Sequence, residues 1–150
     1  MTKIMNWYGT DEDDYFVFGP YTKDHVWAGN GNDIIEDKTS KYWTSDIFHG
    51  QAGNDVLISR NGNDKLYGGI GNDNMKVEVS FHSANSDDCY HIPHQTGFNV
   101  SVHGGKGHDV LEILNSIGSI LTDNGNGSYD IETRYHGHIT ATNIEEIVFL

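Results

Sequence analysis

The chain has 150 residues, of which Gly, Asp and Asn (18, 15 and 14 residues) make up nearly a third. With only 36% hydrophobic residues and few Glu, Ala and Leu, the composition argues against a helical bundle and a βαβ fold, since both need helix-favouring segments. The 17 aromatic residues are more than a disordered chain carries, and a formal net charge of −13 makes nucleic acid and anionic membranes poor partners. The composition therefore predicts a turn-rich, all-β protein whose compact state needs cations to neutralise its carboxylates.

Three further properties narrow the class of protein. The single cysteine, Cys89, excludes an internal disulfide framework. No apolar segment approaches the roughly 18 residues of a membrane-spanning helix, so we expect no membrane span. Residues 1–8 contain no signal-peptide core, which predicts that any export of the chain uses another route.

A nine-residue unit, with Asp at the sixth place and a large apolar residue at the eighth, recurs along the chain. In chain order the units are 9–17, 19–27, AGNGNDIIE (28–36), 41–49, GQAGNDVLI (50–58), SRNGNDKLY (59–67), GGIGNDNMK (68–76) and GGKGHDVLE (104–112). Phe18 and residues 37–40 are insertions into this period. Such regular internal similarity predicts a repeat architecture rather than unrelated turns.

These units resemble the G-G-x-G-x-D-x-U-x nonapeptide of RTX (repeats-in-toxin) proteins, a calcium-binding parallel β-helix repeat. The units at 68–76 and 104–112 fit at every defined place, and the resemblance covers about residues 9–76 and 104–112. It implies an all-β, right-handed parallel β-roll in which two units make one turn and each Ca²⁺ lies between loops 18 residues apart.

The residue types of the unit suit this chemistry. Glycine gives positive φ and lets carbonyl groups converge, Asp adds a hard oxygen ligand, and such a donor set favours Ca²⁺ over transition metals. The predicted carboxylate ligands of several ions are Asp33, Asp46, Asp55, Asp64, Asp73 and Asp109. The predicted glycine positions are Gly29, Gly31, Gly50, Gly53, Gly62, Gly68, Gly69, Gly71, Gly104, Gly105 and Gly107. The apolar residue two places after each Asp is expected to point into the core.

Counting by 18 separates the loops into two columns, one on each side of the roll. We name them the first loop column, with Asp14, Asp33, Asp55 and Asp73, and the second loop column, with Asp24, Asp46 and Asp64. Ions are expected between Asp55 and Asp73, between Asp46 and Asp64, and between Asp33 and Asp55. The loops of Asp14 and Asp24 lack the glycines, and we expect weak binding or none there.

The remaining segments predict strands, turns and one long loop. Alternating apolar residues indicate strands over 74–82 and 98–103 around a loop at 83–97. The Asn-Gly turns at 123–127, between 117–122 and 129–135, and the segment 144–150 indicate antiparallel strands that cap the roll. The chain is thus interpreted as a single module, 1–150, with repeats at 9–76 and 104–112, an insertion at 77–103 and a C-terminal cap at 113–150.

The 83–97 loop leaves two alternatives open. Cys89, His91 and His94 are conceivable zinc ligands, although their spacing matches no strong motif, and a polar surface loop is the simpler interpretation. The chain has no His-Glu-x-x-His and no Gly-x-Ser-x-Gly segment, and we predict no enzymatic activity.

We therefore expect a module that folds on binding extracellular Ca²⁺ and belongs to a secreted protein. The acidic-then-apolar ending at 145–150 is similar to that of type I secretion substrates, and equally fits a final core strand. The alternative is a carbohydrate- or surface-binding module with structural calcium, in which aromatic residues such as Tyr42 and Trp43 would contact a polysaccharide or cell surface.

Overall fold

The computed structural model describes residues 3–19, 22–38, 45–60, 62–78, 99–114, 116, 118–133 and 137–150. These residues form fourteen β-strands and no helix. The strands are β1 (Lys3–Tyr8), β2 (Tyr15–Phe18), β3 (Thr22–Asn30), β4 (Ile34–Asp37), β5 (Ile47–Ala52), β6 (Val56–Arg60), β7 (Lys65–Ile70), β8 (Asn74–Glu78), β9 (Asn99–Lys106), β10 (Val110–Leu114), β11 (Ile120–Gly125), β12 (Ser128–Glu132), β13 (His138–Thr142) and β14 (Glu146–Phe149). Within these ranges nothing is helical and long enough to cross a membrane.

Two sheets share the strands in an alternating pattern. One sheet has the order β1-β3-β5-β7-β9-β13-β12-β11, and the other has the order β14-β10-β8-β6-β4-β2. From β1 to β13 the pairing in the first sheet is parallel, and the second sheet is parallel throughout. Successive strands therefore switch sheets, and one strand from each sheet makes a coil. The predicted all-β parallel β-roll is confirmed.

The nine-residue period sets the strand length and the direction of each side chain. Glycines with positive φ, such as Gly53 (139°) and Gly71 (136°), directly follow strands of the larger sheet and begin the short loops that lead to the other sheet. Between the loops, side chains alternate inward and outward, so the eighth-place residue always faces the space between the sheets. Ile35, Leu57, Leu66, Met75 and Leu111 are all fully buried, as predicted.

The core consists of rows in which equivalent residues of successive coils stack. In one sheet Ile35, Leu57, Met75 and Leu111 are register partners, and in the other Val26, Phe48, Leu66 and Val102 are. Burying each such side chain contributes about 1.5–3 kcal/mol relative to exposure. Because each row continues from coil to coil, the coils have a common register at both loop columns.

The C-terminal region contains the predicted antiparallel strands and one coil that was not predicted. β11 and β12 form a hairpin with Asn126 and Gly127 at its turn, and β12 also pairs antiparallel with β13. However, β13 pairs in parallel with β9, and β14 with β10. The last two strands thus extend the roll by a further coil, and the prediction of an antiparallel capping strand at 144–150 is wrong, because β14 continues the parallel sheet. Its connecting residues, 143–145, are three as in the coils from β3 to β10 but lack the glycines of the nonapeptide.

A row of rings crosses the outer face of the larger sheet. Tyr8, Trp27, His49, Tyr67 and His103 are successive register partners, and we call them the outer aromatic row. Burial lowers the pKa of His49 and of the adjacent His25 below the usual value of imidazole, so both rings are uncharged at neutral pH.

Candidate metal centre

The first loop column is held together by a chain of hydrogen bonds between aspartates of successive coils. The backbone N–H of Asp33 donates to Oδ1 of Asp55 at 2.8 Å, and that of Asp55 donates to Oδ1 of Asp73 at 2.9 Å. The same bond joins Asp14 to Asp33 and Asp73 to Asp109. The predicted register of 18 residues is present, and the insertion between Asp73 and Asp109 leaves it unchanged.

A second chain of hydrogen bonds runs through the asparagines at the fifth place, in the opposite direction. The backbone N–H of Asn54 donates to Oδ1 of Asn32, and that of Asn72 to Oδ1 of Asn54, at 2.9 and 2.8 Å. The N–H of His108 donates to Asn72 in the same way at 2.9 Å. In the first loop column, each Gly-Asn-Asp loop is therefore bound to the preceding loop by the backbone N–H of its Asn and to the following loop by the backbone N–H of its Asp.

The second carboxylate oxygen in the first loop column is buried without a hydrogen-bond partner. This holds for Oδ2 of Asp33, Asp55, Asp73 and Asp109. A buried carboxylate oxygen without a donor is costly, and four equivalent ones in register are not accidental packing. The natural partner for such an oxygen is a cation.

Glycine leaves space beside these oxygens. A Cβ on Gly50 would lie 2.2 Å from Oδ2 of Asp55 and 2.7 Å from the carbonyl oxygen of Gly68 in the next coil. Gly68 has the same relation to Asp73 and to the carbonyl of Gly104, at 2.3 and 2.6 Å. A side chain at the first place of these units would therefore displace the oxygens that converge there.

The fourth-place glycines are required by backbone contact between coils. A Cβ on Gly53 would lie 1.6 Å from the carbonyl oxygen of Gly31, and a Cβ on Gly71 would lie 1.8 Å from that of Gly53. The carbonyl groups of successive loops are thus stacked directly on one another. This brings backbone oxygens and carboxylates together along one side of the roll.

The aspartates of the first loop column do not ionise readily without a bound cation. Burial raises the pKa of Asp55 to about 7 and that of Asp73 to about 6. The hydrogen bond from the preceding aspartate's N–H opposes this shift, and the neighbouring carboxylate adds to it. Burial likewise raises the pKa of Asp33 and of Asp109. A divalent cation would relieve both the desolvation and the mutual repulsion.

The second loop column contains the same bonds and an additional carboxylate. The N–H of Asp24 donates to Asp46, and that of Asp46 donates to Asp64, both at 2.8 Å. Asp37, at the end of β4, joins Asp46 and Asp64 in a buried group whose oxygens lie within 4.8 Å of one another. Burial, with a contribution from the charges of Asp46 and Asp37, raises the pKa of Asp64 to about 7, although the hydrogen bonds from the Asp46 N–H and the Ser59 hydroxyl oppose the shift. Three carboxylates at this spacing can share one metal ion.

The N-terminal loops differ because their carboxylates are already occupied. Thr10 donates to Oδ2 of Asp14 through its N–H at 2.7 Å and its hydroxyl at 2.9 Å. Asp24 accepts from the Trp7 indole at 3.0 Å and from the Thr22 hydroxyl at 2.6 Å. These contacts give a physical reason for the prediction of weak ion binding at both loops.

The C-terminal coil closes the first loop column with a glutamate. The N–H of Asp109 donates to the Glu145 carboxylate at 2.8 Å, the position that an aspartate has in the other coils. The connecting residues Asn143–Glu145 lack glycine, and Asn143 itself adopts a positive φ of 53°. Glu145 was not among the predicted ligands, because no nonapeptide surrounds it.

Two residues that contribute to the second loop column, Asp37 and Ser59, were not identified from the sequence. Asp37 had been assigned to an insertion, although its place two residues after buried Ile35 directs it inward. Ser59, the first residue of its unit, donates to Oδ2 of Asp64 at 2.7 Å, where the units at 50–58 and 68–76 have glycine. Gly62 has the expected positive φ of 153°.

Several expectations lie outside the described residues. They are the Cys89, His91 and His94 loop, and Tyr42 and Trp43 as surface aromatics. Metal binding by the predicted aspartates and glycines stays a prediction. In its support, the donor atoms that converge in the two loop columns are oxygen atoms.

Comparison with known proteins agrees with the repeat analysis. Residues 23–36 and 42–75 match the family model of the RTX calcium-binding nonapeptide repeat, in four copies. No curated protein matches the chain. The matched residues include the sixth-place aspartates from Asp24 to Asp73, whereas Asp109 enters the same column through its hydrogen bond with Asp73.

Proposed function

Because the chain contains RTX calcium-binding nonapeptide repeats, we propose that it is a module whose folding is driven by Ca²⁺ outside the cell. The observation that carries this proposal is the set of four buried Oδ2 atoms without hydrogen-bond partners in the first loop column. For Asp55, Asp73 and Asp109 this oxygen faces space that a first-place glycine leaves open, beside a backbone carbonyl oxygen. Hard oxygen donors in an irregular arrangement suit Ca²⁺ better than Mg²⁺, which demands a near-ideal octahedron.

Each ion in the first loop column would lie between consecutive coils. Asp33 with Asp55, Asp55 with Asp73, and Asp73 with Asp109 supply the carboxylates, and the stacked glycine carbonyls supply neutral oxygens. In the second loop column Asp46 and Asp64 would hold an ion together with Asp37. The bound cation supplies the positive charge that permits these carboxylates to stay ionised while buried.

Without calcium, the charge balance opposes folding. The chain has 22 acidic and 9 basic residues, and the coils place their aspartates in contact with one another. At low cytosolic calcium the chain would remain unfolded, a state suited to passage through a type I secretion channel. Extracellular calcium modules bind with dissociation constants of about 10⁻⁴–10⁻³ M, so calcium outside the cell is sufficient to fold the chain. We propose that the whole chain acts as one such module, with a structural rather than a catalytic role.

The alternative role as a carbohydrate-binding module has less support on the larger sheet. Tyr8 and Trp27 are stacked at 4.9 Å with an interplanar angle of 6°, and Trp27 and His49 at 5.7 Å with 3°. Stacking on both sides covers the faces of Trp27 that a sugar would need, whereas Tyr8 at the edge of the sheet stays exposed. Calcium-dependent folding is therefore the function that we propose.

The test compares folding of the full chain with and without Ca²⁺. We expect the chain in excess chelator to show little β-type circular dichroism and no cooperative thermal transition, because its buried carboxylates are uncompensated. Millimolar Ca²⁺ should produce both signals, whereas millimolar Mg²⁺ should produce much less. A cooperative transition of similar size in chelator would contradict the proposal.

A further inference from the structure

Two histidines on the outer face of the larger sheet have their ring nitrogens directed at each other. His25 on β3 and His49 on β5 belong to adjacent parallel strands, in which His25 is the partner of Ile47 and His49 that of Trp27. The two Nε2 atoms are 3.2 Å apart. The side chains point away from the core, on the face opposite to the buried Asp24 and Asp46.

Neighbouring rings hold both imidazoles in place. His25 stacks on Trp27 with a centroid distance of 3.8 Å. His49 lies between Trp27 and Tyr67, nearly parallel to both, at 5.7 and 4.7 Å. Both rings are half-buried, so little rotamer entropy is left to lose when they bind a ligand.

We propose that His25 and His49 form a binding site for a transition-metal ion of the zinc class, separate from the calcium loops. Zinc binds imidazole nitrogen at about 2.0–2.1 Å. With the two Nε2 atoms 3.2 Å apart, a zinc ion at these bond lengths would subtend an N–Zn–N angle of about 100°, close to tetrahedral. Water molecules on the solvent side complete the coordination, and the metal replaces the proton that the two nitrogens otherwise share.

The type of donor atom decides which metal ions this site binds. Imidazole favours Zn²⁺, Cu²⁺ and Ni²⁺, whereas Ca²⁺ requires oxygen ligands. Millimolar calcium therefore does not compete at the histidine pair. A bound ion would connect β3 to β5 on the outer face of the sheet. It would thus link two coils that are otherwise joined by strand pairing and by the hydrogen bonds of the loop columns.

The experiment titrates the calcium-loaded full chain with zinc chloride in an isothermal calorimeter. We expect one zinc equivalent to bind in the wild type. Separate His25→Gln and His49→Gln variants should each weaken this binding at least about tenfold, since loss of even an outer-shell partner costs that much. His103→Gln is the matched control, because His103 belongs to the same row but bonds to the Thr142 hydroxyl at 2.7 Å. It should bind zinc as the wild type does.

A Cys89→Ser variant separates this site from the 83–97 loop and should also retain the zinc equivalent. Circular dichroism in calcium checks that each variant is folded. If a variant does not fold, histidine side-chain NMR of the wild type takes its place, and zinc should shift the signals of His25 and His49 but not those of His103. No binding up to millimolar zinc, loss of binding in Cys89→Ser, or unchanged binding in His25→Gln and His49→Gln would each overturn the proposal. The calcium proposal is independent of all three results.

Discussion

Replacing Gly53 by alanine should disrupt the stacking of coils, whereas the same change at Gly125 should not. Both glycines have positive φ, 139° and 83°, so both variants strain the backbone. The Cβ at Gly53 would lie 1.6 Å from the carbonyl oxygen of Gly31, whereas nothing lies within 4 Å of a Cβ at Gly125. The pair of variants therefore separates contact between coils from glycine's conformational freedom.

The structure sets the size of the effect. To bring the new contact to 3.0 Å the coils would have to separate by about 1.4 Å, against a normal strand spacing of about 4.8 Å. Two bonds of 2.8 Å would then break: Val56 N–H to the Asp33 carbonyl, and Asp33 N–H to the Asp55 carboxylate. Backbone strain contributes about 1–2 kcal/mol, the first bond about 1 and the second about 1.5–3. Gly53→Ala should therefore cost about 3.5–6 kcal/mol. Gly125→Ala should cost only the strain, about 1–2 kcal/mol.

Urea unfolding of both variants at one saturating calcium concentration measures these costs. A loss of this size at Gly53 is a large part of the 5–15 kcal/mol that stabilises an ordinary domain, so Gly53→Ala should unfold at a much lower urea concentration. If the two variants cost the same within about 1 kcal/mol, the loops are not in backbone contact and the stacking of carbonyl groups described above is wrong.

Two further predictions concern the carboxylates. Asp55→Asn should raise the calcium midpoint for folding much more than Asp14→Asn. Asp55 has a carboxylate oxygen without a hydrogen-bond partner and lies between two other loops, whereas the Asp14 carboxylate accepts hydrogen bonds within its own loop. Equal midpoint shifts of the two variants in a circular dichroism titration would contradict the ion assignment. In chelator, the folded state should gain stability as the pH falls from 8 to 5. Burial raises the pKa of Asp55 from the usual 3.8 to about 7. Between these two pH values the folded chain therefore binds a proton that the unfolded chain does not. This stability is lost as the pH rises through 7. A circular dichroism signal in chelator that does not change with pH would refute the reasoning.

The period of the sequence predicted the inward residues, and the resemblance to RTX repeats added the roll and its two loop columns. The positions within the columns depend on counting places, and the count holds across the 36 residues between Asp73 and Asp109. The C-terminal hairpin followed from Asn126 and Gly127, which are turn-forming residues at any location.

What the sequence did not reveal depends on contacts between coils. Asn32, Asn54 and Asn72 look like ordinary turn residues, and their role as acceptors for the next coil needs the coils to be stacked. Asp37 looks like part of an insertion until β4 is seen to direct it inward. Glu145 replaces an aspartate in a loop without glycine, where no motif search would place a partner for Asp109.

The two hydrogen-bond chains also show which side chains join one coil to the next. Loops of the first loop column offer an oxygen at the fifth place to the following coil and an aspartate oxygen at the sixth place to the preceding one, and at the fifth place Asp13 accepts as Asn32 does. The loop at 104–109 has His108 at the fifth place, and its imidazole lies 3.7 Å from the Glu146 carboxylate of the next coil. In that coil the N–H of Ile144 donates to the Gly127 carbonyl instead, and the connecting residues Asn143–Glu145, three as in the coils from β3 to β10, contain no glycine. Changes in these few loop residues, rather than in the core, would therefore decide whether one coil is bonded to the next through both hydrogen-bond chains.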